Sequence, residues 1–269
     1  MTVSTASIVC ITIAMIIGLS VPILMAIFLP KKTGGSRKAF WIGCLVMFLF
    51  ALTLESYLHQ YVHDTKLGET IWNNVFLFAL YGGLMAGLFE ELGRYLAFHT
   101  VLRRERENDQ NALTYAAGHG GFEIIAVLFF TMLNNLTYAT VMRHPGKMEQ
   151  VYEHATAEQA EQIREVYEQL SVTPAWTYLL SIAERASGLM LQFGFTIFVW
   201  FSAKKGGKKK YLLPVAILLH AFTDGSVVLF NEFTKNAIAT EIFVFLLAIG
   251  VDVLAWKLWK SEKTTEIEA

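Results

Sequence analysis

Three pairs of ionisable residues stand four positions apart within otherwise apolar stretches of the sequence. The pairs are Glu90 with Arg94, His119 with Glu123, and His220 with Asp224. A spacing of four places both members of a pair on the same face of a helix. Imidazole nitrogen and carboxylate oxygen are common zinc ligands, and both groups can transfer protons in catalysis. The pattern therefore indicates a polar site with metal or proton chemistry.

All three pairs lie in segments that have the composition of membrane spans. A charged side chain at the centre of a membrane helix costs about 2.5–3.5 kcal/mol on insertion scales. A helix face that carries two such groups is therefore expected to face the interior of a helix bundle or a wet cavity. Three such faces at a similar depth predict one shared polar pocket.

The overall composition also favours a membrane protein. Of the 269 residues, 54% are hydrophobic and 17% are charged, and the mean hydropathy is +0.44. Soluble domains contain about 25% charged residues. The two cysteines, Cys10 and Cys44, lie in apolar runs without paired spacing, so they are expected to be buried thiols. No signal peptide is expected, because the first apolar run has the full length of a span.

Seven apolar stretches are long enough to cross about 30 Å of hydrocarbon as helices. They are Ala6–Leu29, Phe40–Leu58, Ile71–Thr100, Ala112–Met142, Ala175–Ser202, Leu212–Phe230 and Ile238–Lys257. The third and fourth exceed what a bilayer needs and are expected to protrude, tilt or begin with a surface turn. The predicted fold is all-α: a polytopic membrane protein with about seven transmembrane helices. We expect a single integral membrane domain over residues 1–269, with the polar motifs within residues 71–230.

Basic residues are concentrated in alternate loops, which predicts the orientation of the chain. They occur at Lys31, Lys32, Arg37 and Lys38, at Arg103, Arg104 and Arg106, at Lys204, Lys205, Lys208, Lys209 and Lys210, and at Lys257, Lys260 and Lys263. By the positive-inside rule these loops are cytoplasmic, so the N-terminus is outside and the C-terminus inside. The expected location is the plasma membrane, with multiple passes. The run KKGGKKK is expected to contact anionic lipid headgroups, and no nucleic acid partner is expected.

One polar insertion interrupts the apolar pattern, at about residues 143–174. It contains the sequence HATAEQAEQIREVYEQL, which is rich in helix-forming residues, and Thr156 is a suitable N-cap. The charge pattern places this insertion outside the cytoplasm. We expect a solvated helix packed on the bundle, with a lid or a docking surface as the alternative.

The polar residues suit a catalytic zinc site, which commonly has three protein ligands and an open position for water. His119 and His220 are the natural nitrogen ligands, and Glu123, Glu90 or Asp224 could supply a carboxylate. Glu90 or Glu91 could act as the base on the bound water.

The motifs EELGR (Glu90–Arg94), GHGGFE (Gly118–Glu123) and HAFTD (His220–Asp224) resemble those of the YhfC family of intramembrane metalloproteases. That family is grouped with the CAAX prenyl endopeptidases, the bacteriocin-immunity ABI proteins and the PrsW proteases. The resemblance covers about residues 71–230 and implies that Glu90 is the catalytic glutamate, Glu91 its neighbour and Arg94 the basic residue. Either His119 or Glu123 corresponds to the ligand of the second motif.

The leading hypothesis is an intramembrane zinc peptidase that cleaves a membrane protein or a membrane-associated peptide. Zinc (Zn²⁺) would be held by His119 or Glu123 together with His220. Asp224 would be a ligand or an orienting group, and Glu90 would be the base on the bound water. A proton-coupled transporter would use the same residue types as a relay, but no matched repeat halves are evident. A third hypothesis is a scaffold without catalysis. Glu91 could instead pair with Arg94, and Glu184 and Arg185 could line the pocket or form an internal ion pair.

Overall fold

The computed structural model describes residues 3–263, and over that range it contains helices and no strand. In chain order the helices are α1 (Thr5–Thr33), α2 (Arg37–His63), α3 (Lys66–Trp72), α4 (Val75–His99), α5 (Gln110–Met142), α6 (Pro145–Glu153), α7 (Ala157–Val172), α8 (Ala175–Lys205), α9 (Leu212–Thr234) and α10 (Ala237–Glu262). All except α3, α6 and α7 are long and apolar enough to cross a membrane, which makes seven spans in the described part of the chain. The predicted all-α fold with seven spans is confirmed. The orientation of the termini stays a prediction.

The two predicted spans that exceed the length a bilayer needs have different structures. The third is divided at a turn, because α3 ends at Trp72 and α4 begins at Val75. Asn74 caps the new helix by accepting hydrogen bonds from the backbone N–H groups of Phe76 and Leu77. The fourth, α5, is one helix of 33 residues that includes a π-helical segment at Ile125–Phe129.

A second π-helical segment, Met47–Glu55, lies inside α2. Such widened turns inside α-helices often occur at functional sites. Glu55, the last residue of this segment, is buried although it is ionisable. The segment therefore brings one more carboxylate into the protein interior.

The polar insertion forms the helices α6 and α7. The N-cap predicted at Thr156 is present as a full capping box with Gln159, in which each side chain bonds the backbone N–H of the other residue. Tyr167 of α7 packs edge-on against Tyr138 of α5, with ring centroids 5.8 Å apart. The insertion thus forms two helices, where one was expected, and Tyr167 packs on α5. Its side of the membrane stays a prediction.

The described residues form two compact units. The first comprises the chain up to Val21 together with Ile124–Arg185, and the second comprises Pro22–Glu123 together with the chain from Ala186 onward. In the first unit, Arg143 donates hydrogen bonds to the carbonyl of Val3 and the hydroxyl of Thr5. The second unit contains all seven residues of the three polar motifs. The expectation of a single integral membrane domain stays a prediction.

In the second unit, α4 and α9 pack backbone against backbone. A Cβ atom at Gly83 would collide with the carbonyl oxygen of Ala221, and one at Gly87 would lie 2.6 Å from that of Ile217. Small residues allow helix backbones to approach closely in membranes. This close packing brings the polar face of α4 against that of α9.

Adding a methyl group at Gly83 should therefore destabilise the protein. We expect Gly83→Ala to lower the free energy of unfolding by about 1–3 kcal/mol, the usual cost of overpacking. The adjacent Gly82 is a matched control, because a Cβ atom there would have no neighbour within 4 Å. Gly82→Ala should be neutral or slightly stabilising. Equal free energies of unfolding for the two variants in mixed micelles would contradict this packing.

Candidate metal centre

The first motif forms a buried ion-pair network on one face of α4. Arg94 is fully buried, and its Nη1 donates to both carboxylate oxygens of Glu91, at 2.9 and 3.0 Å. Its Nη2 donates to Oε2 of Glu90 at 2.9 Å. Spacings of three and four residues place all three side chains on the same helix face. The pairing of Glu91 with Arg94 that the helical spacing allowed is thus present.

The third motif reaches this network from α9. Nδ1 of His220 lies 2.7 Å from Oε1 of Glu91, and Nε2 lies 3.4 Å from Oδ2 of Asp224. The ring of Phe195 stacks on the imidazole of His220, with centroids 4.4 Å apart and planes 14° apart. His220 is therefore held in plane between a fully buried carboxylate and Asp224, whose side chain is 43% exposed.

Three of these side chains have the spacing of a metal site. Glu90, Glu91 and His220 each offer one ligand atom, and these atoms all lie within 4.8 Å of one another. All three residues are buried. We refer to them as the Glu–Glu–His group. Small side-chain movements would bring ligand atoms at this separation to the distances of about 2.0–2.2 Å from a central ion that zinc requires.

The second motif contacts Glu90 through His119 of α5. Nε2 of this fully buried histidine lies 2.9 Å from Oε2 of Glu90 and 3.0 Å from Nη2 of Arg94. A carboxylate accepts hydrogen bonds and a guanidinium only donates them. If Nε2 carries a proton, it can donate to Glu90 but cannot accept a hydrogen bond from Arg94. We assign the Nε2–H tautomer from these partners. Nδ1 then has no hydrogen-bond partner among the described residues.

The glycines around His119 allow two helices to approach it. A Cβ atom at Gly118 would collide with the backbone carbonyl of Phe40 on α2. One at Gly120 would lie 2.7 Å from a methyl carbon of Leu189 and 3.2 Å from Cβ of Gln192, both on α8. The sequence GHGG therefore packs α5 tightly on both sides while His119 faces α4.

Glu123 reaches the site indirectly, through Gln192. The amide nitrogen of Gln192 donates to Oε2 of Glu123 at 2.8 Å and to Oε2 of Glu90 at 3.1 Å. Its amide oxygen accepts a hydrogen bond from Arg94. The sequence reasoning missed Gln192, since a single uncharged amide in an apolar segment gives only a weak signal.

The two oxygens of the Glu90 carboxylate have different surroundings. Oε2 is contacted by Arg94, His119 and Gln192. The hydrogen bonds that Glu90 accepts from residues 3–263 all go to Oε2 and none to Oε1, and the Glu90 side chain is 9% exposed. One oxygen is thus fixed by three donors, and the other stays available.

Glu55 is a second residue that the sequence reasoning missed. Oε1 of Glu55 lies 3.1 Å from Nε2 of His59, whose Nδ1 lies 2.9 Å from the hydroxyl of Tyr81. Glu55 is close enough to Glu90 and His220 to interact with them electrostatically. The signal was present in the sequence, because Glu55 is an ionisable residue inside a predicted span.

All seven predicted site residues belong to one connected network, but their grouping differs from the sequence-based assignment. The Glu–Glu–His group contains two residues assigned to catalysis and one assigned to the metal. His119 contacts Glu90, and Glu123 contacts Gln192. Asp224 lies beside His220. The roles of these residues stay predictions. In the first unit, Arg185 donates to Glu184 at 2.6 Å, which matches the ion-pair alternative for these two residues.

Comparison with known proteins identifies the family. Residues 17–244 match the family model described as YhfC intramembrane metalloprotease. The chain is 32% identical over 248 residues to the uncharacterized membrane protein YhfC of Bacillus subtilis (strain 168), covering 91% of this chain and 94% of that protein. No solved structure matches the chain. The three motifs and the seven spans thus occur in a chain that belongs to the YhfC intramembrane metalloprotease family.

Proposed function

We propose that this protein is an intramembrane metal-dependent peptidase of the plasma membrane. Its substrate would be a membrane protein or a membrane-associated peptide. The observation that carries this proposal is the convergence of buried ligand atoms from Glu90, Glu91 and His220. Two carboxylates and one imidazole form a donor set of the kind found in catalytic zinc sites.

The charge of the site supports a bound cation. Glu90 and Glu91 bring two negative charges into the protein interior, and Arg94 supplies one positive charge. Glu123 and Asp224 add further negative charge at the edge of the network. Buried charge without compensation is expensive, and a divalent cation would offset it. The residues present therefore fit a zinc ion.

Each member of the Glu–Glu–His group has a donor atom for the metal. Glu90 offers Oε1, which accepts no hydrogen bond from the described residues, while Arg94 and His119 fix its other oxygen. Arg94 also pairs with both glutamates, so its positive charge lies next to the two carboxylates that would hold the metal. A metal bound here would lower the pKa of its water towards about 7.

Asp224 is the accessible carboxylate of the site. Its side chain is 43% exposed, and it lies next to His220 on the same helix. We assign it the transfer of a proton from the attacking water to the leaving amine, a step that contributes about 10²–10⁴-fold in rate. This assignment reverses two roles from the sequence-based hypothesis, in which Glu90 was the base and Asp224 a ligand or an orienting group.

Replacing Asp224 with asparagine tests this assignment. We expect Asp224→Asn to retain its metal and to lose at least about 100-fold in cleavage rate, because only the proton acceptor is removed. Substrates can be found by adding purified protein to membranes from cells that lack it and identifying new peptide termini by mass spectrometry. Asp252→Asn is the control, since Asp252 is a half-buried carboxylate on α10 outside this network.

Metal removal separates the peptidase from other functions. A chelator should abolish cleavage by the wild-type protein, and added zinc should restore it. Cleavage that persists in metal-free protein would contradict a metal-dependent peptidase. A protein that cleaves nothing but moves a solute with a proton gradient would support the transporter hypothesis instead.

A further inference from the structure

We infer that Gln192 is a positioning residue that determines which oxygen of Glu90 faces the metal. This inference rests on the proposed function and adds a residue outside the three motifs. Gln192 is buried on α8, and its side chain lies between Glu90, Glu123 and Arg94. It links α8 to the charged residues of α4.

The amide of Gln192 uses all of its hydrogen-bonding groups in this position. Its nitrogen has two hydrogens and donates to two carboxylates, at 3.1 Å for Glu90 and 2.8 Å for Glu123. Its oxygen accepts from Arg94. The orientation of the amide follows from these partners, since a rotated amide would set its oxygen against two carboxylates. A neutral side chain thus joins two anions without adding charge.

The consequence concerns the rotation of the Glu90 carboxylate. Gln192 and His119 contact Oε2 from α8 and α5, while Arg94 contacts it from α4 itself. Donors from three directions fix this oxygen, so Oε1 points away from them. Without the amide, one of the three restraints is lost and the Glu90 carboxylate can rotate further. A metal would then have to compete with Arg94 and His119 for its oxygens.

The packing of α8 against α5 is consistent with this role. Cβ of Gln192 would lie 3.2 Å from a Cβ atom at position 120, so the glycine there gives the glutamine its place. Glu123, one turn further along α5, accepts a hydrogen bond from the amide nitrogen of Gln192. The position of Gln192 is thus determined by two residues of α5, one against its Cβ atom and one against its amide.

Cobalt binding provides the test. Purified full-length protein is freed of metal and titrated with Co²⁺, and the visible absorption of the bound ion is followed. We expect Gln192→Met to weaken Co²⁺ binding about 10–100-fold, the usual effect of losing a residue that orients a ligand. Thr196→Val is the matched control, because Thr196 is buried one turn further along α8 and its hydroxyl has no partner among the described residues. It should bind Co²⁺ like the wild type.

A double-mutant cycle distinguishes positioning from general stability. If Gln192 acts through Glu90, then Glu90→Gln and Glu90→Gln/Gln192→Met should bind Co²⁺ with the same affinity. An equal further loss in the Glu90→Gln background would overturn the inference. If Gln192→Met does not fold, Gln192→Asn takes its place, since it retains the amide but is one methylene too short to reach both carboxylates.

The remaining outcomes separate this inference from the proposed function. Wild-type protein that binds no Co²⁺ would overturn the metal site itself, and the inference with it. Wild-type binding together with unchanged binding by Gln192→Met would overturn the inference alone and leave the peptidase proposal standing.

Discussion

Replacing Arg94 with methionine is expected to lower the free energy of unfolding by about 3–5 kcal/mol, the usual cost of removing one partner of a buried ion pair. Arg94 is fully buried and is the cation that pairs with both Glu90 and Glu91. Methionine would fill much of the same volume and leave the two carboxylates without their charge partner. The measurement is reversible unfolding of the metal-free protein in mixed micelles.

An exposed arginine with the same kind of partners provides the control. Arg164 pairs with Glu161 at 2.9 Å and lies 4.0 Å from Glu168, but its side chain is 62% exposed. Arg164→Met should cost no more than about 1 kcal/mol, because exposed ion pairs contribute little. Neutralising the buried carboxylates as well, in Arg94→Met/Glu90→Gln/Glu91→Gln, should recover most of the lost stability. If the triple variant is no more stable than Arg94→Met, charge compensation is not the role of Arg94.

Removing any member of the Glu–Glu–His group is expected to weaken zinc binding by at least about 100-fold, more than the usual loss for an orienting residue. The variants are Glu90→Gln, Glu91→Gln and His220→Ala. Each one loses a donor atom from a group of three, and the remaining two cannot hold the ion with comparable affinity. Competition with a chromophoric chelator measures the affinity of each purified variant.

Asp252→Asn again provides a control, because its carboxylate lies on α10 outside the network. Its zinc affinity should equal that of the wild type. Asp224→Asn should also retain zinc, since we assign Asp224 to proton transfer. If Glu90→Gln retains full zinc affinity while Asp224→Asn loses it, the sequence-based assignment of these two residues is correct and ours is wrong.

The number of spans could be predicted from the sequence, because placing polar groups in lipid is costly and membrane helices therefore appear as long apolar stretches. The ends of the spans were less accurate. The predicted start at Ile71 lies in α3, and α4 begins only after the cap at Asn74. The turn contains only two polar residues, Asn73 and Asn74, between apolar ones, so hydropathy averaged over a span did not detect it. Side-chain capping, a local hydrogen-bond effect, determines the boundary.

The site could be predicted as a set of residues, but its internal partners could not. Spacings of four identified the polar faces of α4, α5 and α9, and these faces do meet. Which residue pairs with which depends on helix rotation and close packing, as at Gly83 against Ala221. A sequence pattern does not contain that information. The sequence could therefore suggest His119 as a site residue, but not that it contacts Glu90 and Arg94.

The two residues that the prediction missed differ in how they could have been found. Glu55 met the same criterion as the motif residues, as an ionisable group within a span. Gln192 did not, because amides occur in membrane helices mainly as hydrogen-bonding residues between helices. Its importance depends on contacts with Glu90 and Arg94 of α4 and with Glu123 of α5, which only a structure can show.

X-ray absorption at the zinc edge tests the assignment of the metal ligands most directly. We expect one zinc ion per chain, bound through oxygen and nitrogen, with scattering from a single imidazole, that of His220. The spectrum of His119→Gln should then show the same single imidazole. Two imidazoles in the wild type, one of them lost in His119→Gln, would contradict a site built from Glu90, Glu91 and His220.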